Sequence, residues 1–276
     1  MNYIAPDIAP EGLALPPALP ARAQPKRTRH AAPVGEIENS LLAAVPRKEF
    51  LRLAAGLESV TLTFGEVLYE PGQTIRHVYF PDQSLISLLT LADGHLALEV
   101  GLIGREGMVG IPLVLGHTTS SVRALVQGSG TASRMGAAEF LREFRQSMPL
   151  KKELYRYTHT LMAQISQTAA CNRFHVVEER LARWLLMTHD RVKSDCFRMT
   201  HEFLGHMLGV RRVGVTTAAH ALQQRKLIGY SRGDITILDR GGLEAAACAC
   251  YAVVKDMHDA AQGRHAMGKR RDSETA

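Results

Sequence analysis

The spacing of apolar residues changes several times along this chain, and each change predicts a different kind of element. Between about residues 36 and 50, Leu41, Leu42, Val45 and Phe50 recur at helical spacing and predict a short amphipathic helix. The period then shortens. Val60–Phe64, Glu66–Tyr69, His77–Phe80, Leu85–Leu91 and Leu96–Leu102 are short β-type runs, set apart by turn signals at Gly65, Pro71-Gly72, Pro81-Asp82 and Asp93-Gly94. Many short strands with frequent turns predict a β-sandwich or barrel. From Met148 the period lengthens again. Leu154, Thr158, Leu161, Ile165, Thr168 and Asn172 follow alternating steps of four and three, a heptad-like and partly polar seam. A helix with such a seam must pack on something. It is either a dimer interface or a helix lying on its own β domain.

The pattern is most specific from Thr200 to Asp239, THEFLGHMLGVRRVGVTTAAHALQQRKLIGYSRGDITILD. Thr200 is a good N-cap, and Glu202 suits the positive end of the helix that follows. Phe203, Met207 and Leu208 give that helix one apolar face. Gly209 permits the sharp reversal of a two-helix corner. Arg211 and Arg212 then open a second helix, whose apolar positions are Val215, Ala218, Ala219 and Leu222. Leu227 to Ile237 reads as a hairpin, with its turn at or near Gly233-Asp234. A helix with basic residues in its first turn, braced by a preceding helix and followed by a hairpin, is the order that major-groove recognition requires. Arginine there carries the planar fork that grips guanine O6 and N7 together.

These residues also carry a family resemblance. From about Leu41 to Tyr251 the chain resembles a transcription regulator of the Crp/Fnr superfamily. The likeness is closest in CNRFHVVEERLARWLLMTHDRV (Cys171 to Val192), in the winged helix-turn-helix and in the CACY end. It implies a β jelly-roll sensor, a long central dimerisation helix and a DNA-binding domain. It places the base-reading positions on Arg212, Val213, Gly214 and Thr217. Arg212 keeps the family's pattern, whereas Val213 and Thr217 depart from it and suit a thymine methyl instead. Thr200, Arg211, Thr216 and Arg232 are placed for phosphates, the last from the wing. Leu154, Thr158, Leu161 and Ile165 are the expected dimer contacts.

Composition narrows the alternatives. A net charge of +6 fits a polyanion partner but is modest. Nothing approaches the ~18 consecutive apolar residues of a membrane helix, and the first thirty residues lack the order of a secretory signal. A cytoplasmic protein without a membrane partner is expected. Residues 1–36 hold seven of the twelve prolines and a KRTR cluster, which predicts a disordered tail. The basic end around Lys269, Arg270 and Arg271 reads the same way. There is no Ser-His-Asp pattern, P-loop or dinucleotide fingerprint, so no catalytic residue is assigned. Of the four cysteines, Cys171, Cys196, Cys248 and Cys250, none forms a CxxC. Residues two apart on a helix point away from each other, so Cys248 and Cys250 are not expected to chelate one ion. No metal and no cofactor are assigned.

Relatives that bind cyclic nucleotides use a Glu and an Arg-Ser pair on the phosphate. The corresponding stretch here is Gly104 to Val126, with Ile111 where the glutamate is expected. Gly110 to Ser121 contains no Lys or Arg, and Arg123 lies on the strand beyond. An unneutralised phosphate in such a pocket is costly. An iron–sulfur sensor is disfavoured by the lack of any cysteine before Cys171.

The resulting expectation is an α+β chain: an N-terminal double-stranded β-helix (jelly roll), a long dimerisation helix and a C-terminal winged helix-turn-helix. The boundaries are a tail at 1–36, the β-roll at 37–147, the helix at 148–174, the DNA-binding domain at 175–251, and a helical end with a basic tail at 252–276. The expected function is sequence-specific transcription regulation by a homodimer on an inverted repeat of double-stranded DNA, with RNA polymerase as a further partner. An effector-independent architectural DNA binder is the main alternative. A cupin-like enzyme would need a His-x-His and Glu metal set, which residues 60–130 do not supply.

Overall fold

The structure is a computed structural model that describes residues 37–92, 96–192 and 194–273. The expected tail at 1–36 and the turn at Asp93-Gly94 lie outside the described residues. In chain order the helices are α1 (Ser40–Ala43), α2 (Arg47–Ala54), α3 (Ala137–Gln146), α4 (Met148–Phe174), α5 (Val177–His189), α6 (His201–Leu208), α7 (Arg212–Gln224), α8 (Arg240–Ala246) and α9 (Cys250–Ser273). The strands are β1 (Glu58–Leu62), β2 (Val67–Tyr69), β3 (His77–Pro81), β4 (Leu85–Ala92), β5 (Leu96–Ile103), β6 (Arg123–Gly128), β7 (Gly130–Gly136), β8 (Cys196–Arg198), β9 (Ile228–Ser231) and β10 (Asp234–Ile237).

Strands β1 to β7 form two antiparallel sheets, ordered β1-β7-β3 and β2-β6-β4-β5. The sheets close over a core of Leu62, Tyr69, Ile75, Phe80, Ile86 and Val126, and α3 covers one side with Phe140 and Phe144. This is the expected jelly roll. Pro46 divides the expected helix at 36–50 into α1 and α2, because its ring fixes extended entry into α2 (φ −54°, ψ 145°). Strands β6 and β7 complete the roll. The run Gly130–Gly136, GTASRMG, is mostly small and polar and gives no alternating signal.

The long helix α4 starts at Ser147, whose hydroxyl accepts the Leu150 N–H at 3.3 Å. Its placement changes the reading of the seam. Leu154 is fully buried and Leu161 is only 5 % exposed, both within the β-roll core, while Thr158 is buried and Ile165 packs at the margin. Leu161 sits over Gly101 of β5, where a Cβ would lie 3.3 Å from its Cδ1. The four residues expected at a dimer interface therefore face mainly inward, because the roll beside them offers the apolar surface they need. The residues one position along, Met148, Lys152, Tyr155, His159, Met162, Ser166, Ala169 and Arg173, remain exposed at the same four-three spacing.

The second half docks on the first. Leu85, Leu89, Ala97 and Leu102 of β4 and β5 share one apolar cluster with Leu181, Trp184, Leu185, Met207 and Leu208 of α5 and α6. Helix α9 folds back along α4, and its backbone stays helical to Ser273, where the basic composition predicts a disordered tail. No helix among the described residues is long and apolar enough to cross a membrane.

Candidate nucleic-acid interface

Helix α6 is capped as its sequence predicts: the Thr200 hydroxyl accepts the Phe203 N–H at 3.1 Å. Its buried face is Leu204, Met207 and Leu208, with Phe203 only partly covered and set against Phe64 of the roll at 5.4 Å between ring centroids. Gly209 ends the helix at φ 61°, and a Cβ there would meet Leu98 Cδ1 at 2.8 Å. Gly205 is equally constrained, since its Cβ would lie 2.9 Å from the Val210 carbonyl. Two glycines thus let the corner close tightly, and helix α7 starts at once.

The inner face of α7 is Val215, Ala218, Ala219 and Leu222, all buried. The outer face carries Arg211, Arg212, Val213, Thr216 and Thr217, all exposed, with Gly214 half-buried between them. Val213 is 67 % exposed. Thr217 is exposed, and its hydroxyl donates to the Val213 carbonyl at 3.1 Å. Thr216 donates to the Arg212 carbonyl at 3.0 Å, and His201 Nδ1 lies 3.0 Å from the same hydroxyl. A phosphate at Thr216 would have to compete with these bonds. The His201 ring stacks on Tyr230 at 4.1 Å. Burial and the nearby Arg212 lower its pKa, so it adds no charge at neutral pH.

The wing is a three-stranded sheet, ordered β8-β10-β9. Its hairpin turns at Arg232-Gly233, one residue earlier than Gly233-Asp234. Both residues have positive φ, 53° and 92°. That pair of angles is a type I′ turn, which matches the twist of a hairpin. Arg232 therefore stands exposed at the tip, on the same unit as Arg211 and Arg212. Strand β8 has no sequence signal, being three residues and largely exposed.

Behind this surface lies a polar line that the sequence does not disclose. Glu99 of β5 is buried under the DNA-binding domain, where its Oε1 accepts the Trp184 indole N–H at 2.9 Å. Its Oε2 lies 2.7 Å from Ser87 Oγ, which also contacts Gln127 Oε1, and Gln127 Nε2 reaches Thr188 at 3.5 Å. Burial raises the Glu99 pKa to about 7, against the pull of Ser87, Trp184, Arg183 and Arg191. Ser87 has one hydroxyl proton for two acceptors, and it donates to the Glu99 carboxylate when that is ionised. When Glu99 is protonated, Glu99 donates to Ser87 and Ser87 to Gln127, whose Nε2 donates to Thr188 in either state. At the far end of the same interface Arg191 binds Glu106 at 2.7 Å, both nearly buried. Burial alone would raise the Glu106 carboxyl, but Arg191 overrides it and holds it below the usual range.

The cysteines also fall differently from the spacing argument. Cys248 precedes α9 and Cys250 begins it, so the two are not consecutive positions of one helix. Their side chains converge with Cys171 and His175 from the end of α4.

The architecture is a β-roll joined through a long helix to a winged helix-turn-helix, the class of unit that sets a helix into DNA. Residues 179–246 match the Crp-like helix-turn-helix domain. No curated protein matches the chain. Among solved structures it is similar to FixK2 from Bradyrhizobium japonicum (14 % identity, TM-score 0.61, 70 % of this chain and 98 % of that one). It is also similar to two transcriptional regulators from Thermus thermophilus. One is of the CRP family (16 %, 0.58, 68 % and 96 %) and one of the CRP/FNR family (20 %, 0.57, 69 % and 98 %). The chain carries a Crp-like helix-turn-helix domain and has the Crp/Fnr regulator fold.

Proposed function

We propose that the protein is a homodimeric, sequence-specific transcription regulator that reads an inverted repeat in double-stranded DNA. The observation that carries this reading is the start of α7, where Arg211 at the N-cap and Arg212 and Val213 in the first turn are exposed on a helix whose opposite face is buried. Arg212 is assigned to a guanine edge, and Val213 and Thr217 to thymine methyls. Gly214 leaves room for close approach. Arg211, Thr200 and the wing-tip Arg232 are assigned to phosphates.

For the dimer, support comes from the exposed stripe on α4. Met148 is 69 %, Tyr155 53 % and Met162 61 % exposed, and they repeat at the 3.5-residue period that keeps a helix seam facing its partner. We assign the interface to this stripe rather than to Leu154, Thr158 and Leu161, which have little surface left to offer.

The cyclic-nucleotide pocket is read as degenerate. Arg123 is paired with Glu70 at 2.9 Å, and Tyr69 and Tyr79 occupy the roll's interior. A cyclic phosphate would find no inward cation in the loop from Gly110 to Ser121.

Selection of bound DNA from a random pool tests the function. The expected motif is two-fold symmetric, with half-sites centred roughly 10 base pairs apart. An architectural binder would return no motif, and bulk DNA would compete as well as the selected site.

A further inference from the structure

We propose that Cys171, His175, Cys248 and Cys250 form a site for one tetrahedral divalent cation of the zinc class, which fastens the C-terminal helix to the end of α4. The four donor atoms lie within 4.8 Å of one another. Cys171 and Cys248 bring their sulfurs to 3.5 Å, and Cys250 Sγ lies 3.4 Å from His175 Nδ1. A tetrahedral zinc with Zn–S near 2.3 Å and Zn–N near 2.1 Å has S···S edges of about 3.8 Å and S···N edges of about 3.6 Å. Both short contacts match such edges, so a cation needs only small adjustments to be held.

Three parts of the chain build the site. Cys171 and His175 are four apart, at the last turn and C-cap of α4, and so lie on one face. Cys248 comes from the segment between α8 and α9, and Cys250 from the first turn of α9. The three cysteines are buried and form a cluster of their own, separate from both apolar cores.

The surroundings fit the charge. Three thiolates, a neutral imidazole and a divalent cation sum to −1. Arg180 and Arg183 of α5 are buried within electrostatic reach of Cys171, and the Nε atom of each has no hydrogen-bond partner among the described residues. Gln167 donates from Nε2 to Cys250 Sγ at 3.1 Å, the kind of outer contact that orients a ligating thiolate. Soft sulfur donors select zinc-like ions over magnesium or calcium. Cys196 stands exposed on β8, outside the cluster, and serves as an internal control.

The experiment uses the tag-free full-length chain, reduced, stripped by a chelator and then titrated with Zn²⁺ or Co²⁺. One metal per chain is expected by elemental analysis. Co²⁺ should give thiolate-to-metal charge transfer and the intense visible bands of a tetrahedral ion. Zinc should raise the melting temperature. Cys171→Ser and Cys250→Ser should each weaken binding by at least about tenfold, His175→Ala should keep the charge transfer but lose affinity, and Cys196→Ser should match the wild type. The wild-type titration needs no variant to fold. Substoichiometric metal without charge transfer overturns the proposal, as does undiminished affinity in both serine variants. A Cys171–Cys248 disulfide that forms readily in a chain that takes up no metal also overturns it, in favour of a redox pair.

Discussion

Replacing Glu99 by Gln should abolish a pH dependence that the docked structure now carries. The carboxyl titrates at 4.5 in an unstructured chain and at about 7 in the fold, because burial disfavours its charge. A raised acid pKa means that the fold holds the proton more tightly than the unfolded chain does. The contribution is therefore fully present below about 4.5, falls as pH rises toward 7, and levels off above it. The difference of about 2.5 units, at 1.36 kcal/mol each, gives on the order of 3 kcal/mol. The amide introduced by Glu99→Gln would mimic the protonated acid at every pH, since its N–H donates to Ser87 and its carbonyl accepts from Trp184. The variant should match the wild type in mild acid and exceed it by about 2–3 kcal/mol at mildly alkaline pH. Denaturant unfolding followed by Trp184, the one tryptophan of the chain, reads the interface directly. Parallel stability profiles for the two proteins from about pH 5 to about pH 8 would refute the reasoning, because Glu99 would then be charged in both states.

Three further outcomes are expected. Arg212→Ala should cost about 1–3 kcal/mol on the selected DNA and relax one base preference, whereas Arg232→Ala should weaken all sequences alike and flatten the salt slope by about one unit; equal motifs from wild type and Arg212→Ala would remove Arg212 from base reading. Met162→Glu should give a folded monomer by sedimentation, while Leu161→Glu should cost several kcal/mol or prevent folding, because it buries an unpaired charge; the reverse pattern would restore the inward stripe as the interface. Gly209→Ala should lower stability by at least about 1 kcal/mol in thermal unfolding, from its positive φ and the approach of Leu98; an unchanged melting temperature would show that the corner relaxes freely.

Much of this fold was legible because several local signals agreed. Around α6 and α7 the cap at Thr200, the turn at Gly209 and the period of Val215, Ala218 and Leu222 each favour the same structure, and none depends on a distant partner. The face of α4 was different. Leu154-Thr158-Leu161 and Tyr155-His159-Met162 share one spacing, so periodicity alone cannot say which stripe meets the roll and which meets solvent. That choice depends on Gly101 and the neighbouring strands, far away in sequence. The cysteines misled for a related reason. The divergence of residues two apart assumes one continuous helix, and α9 begins only at Cys250. Glu99 gave no signal at all, since its meaning comes from Trp184, eighty-five residues later.

The apolar cluster shared between the β-roll and α5–α6 governs how this protein can be taken apart. The stretch that matches the helix-turn-helix family, 179–246, owns Leu181, Trp184 and Met207 but neither of the surfaces that cover them. Leu89 and Leu102 come from the roll, and Tyr251 and Val254 come from α9. Excised, that stretch would present a greasy flank to water and would be inclined to self-associate. Its affinity for DNA, measured in isolation, would then mix recognition with aggregation. For this protein, the smallest piece that covers its own apolar surface reaches from the roll through α9.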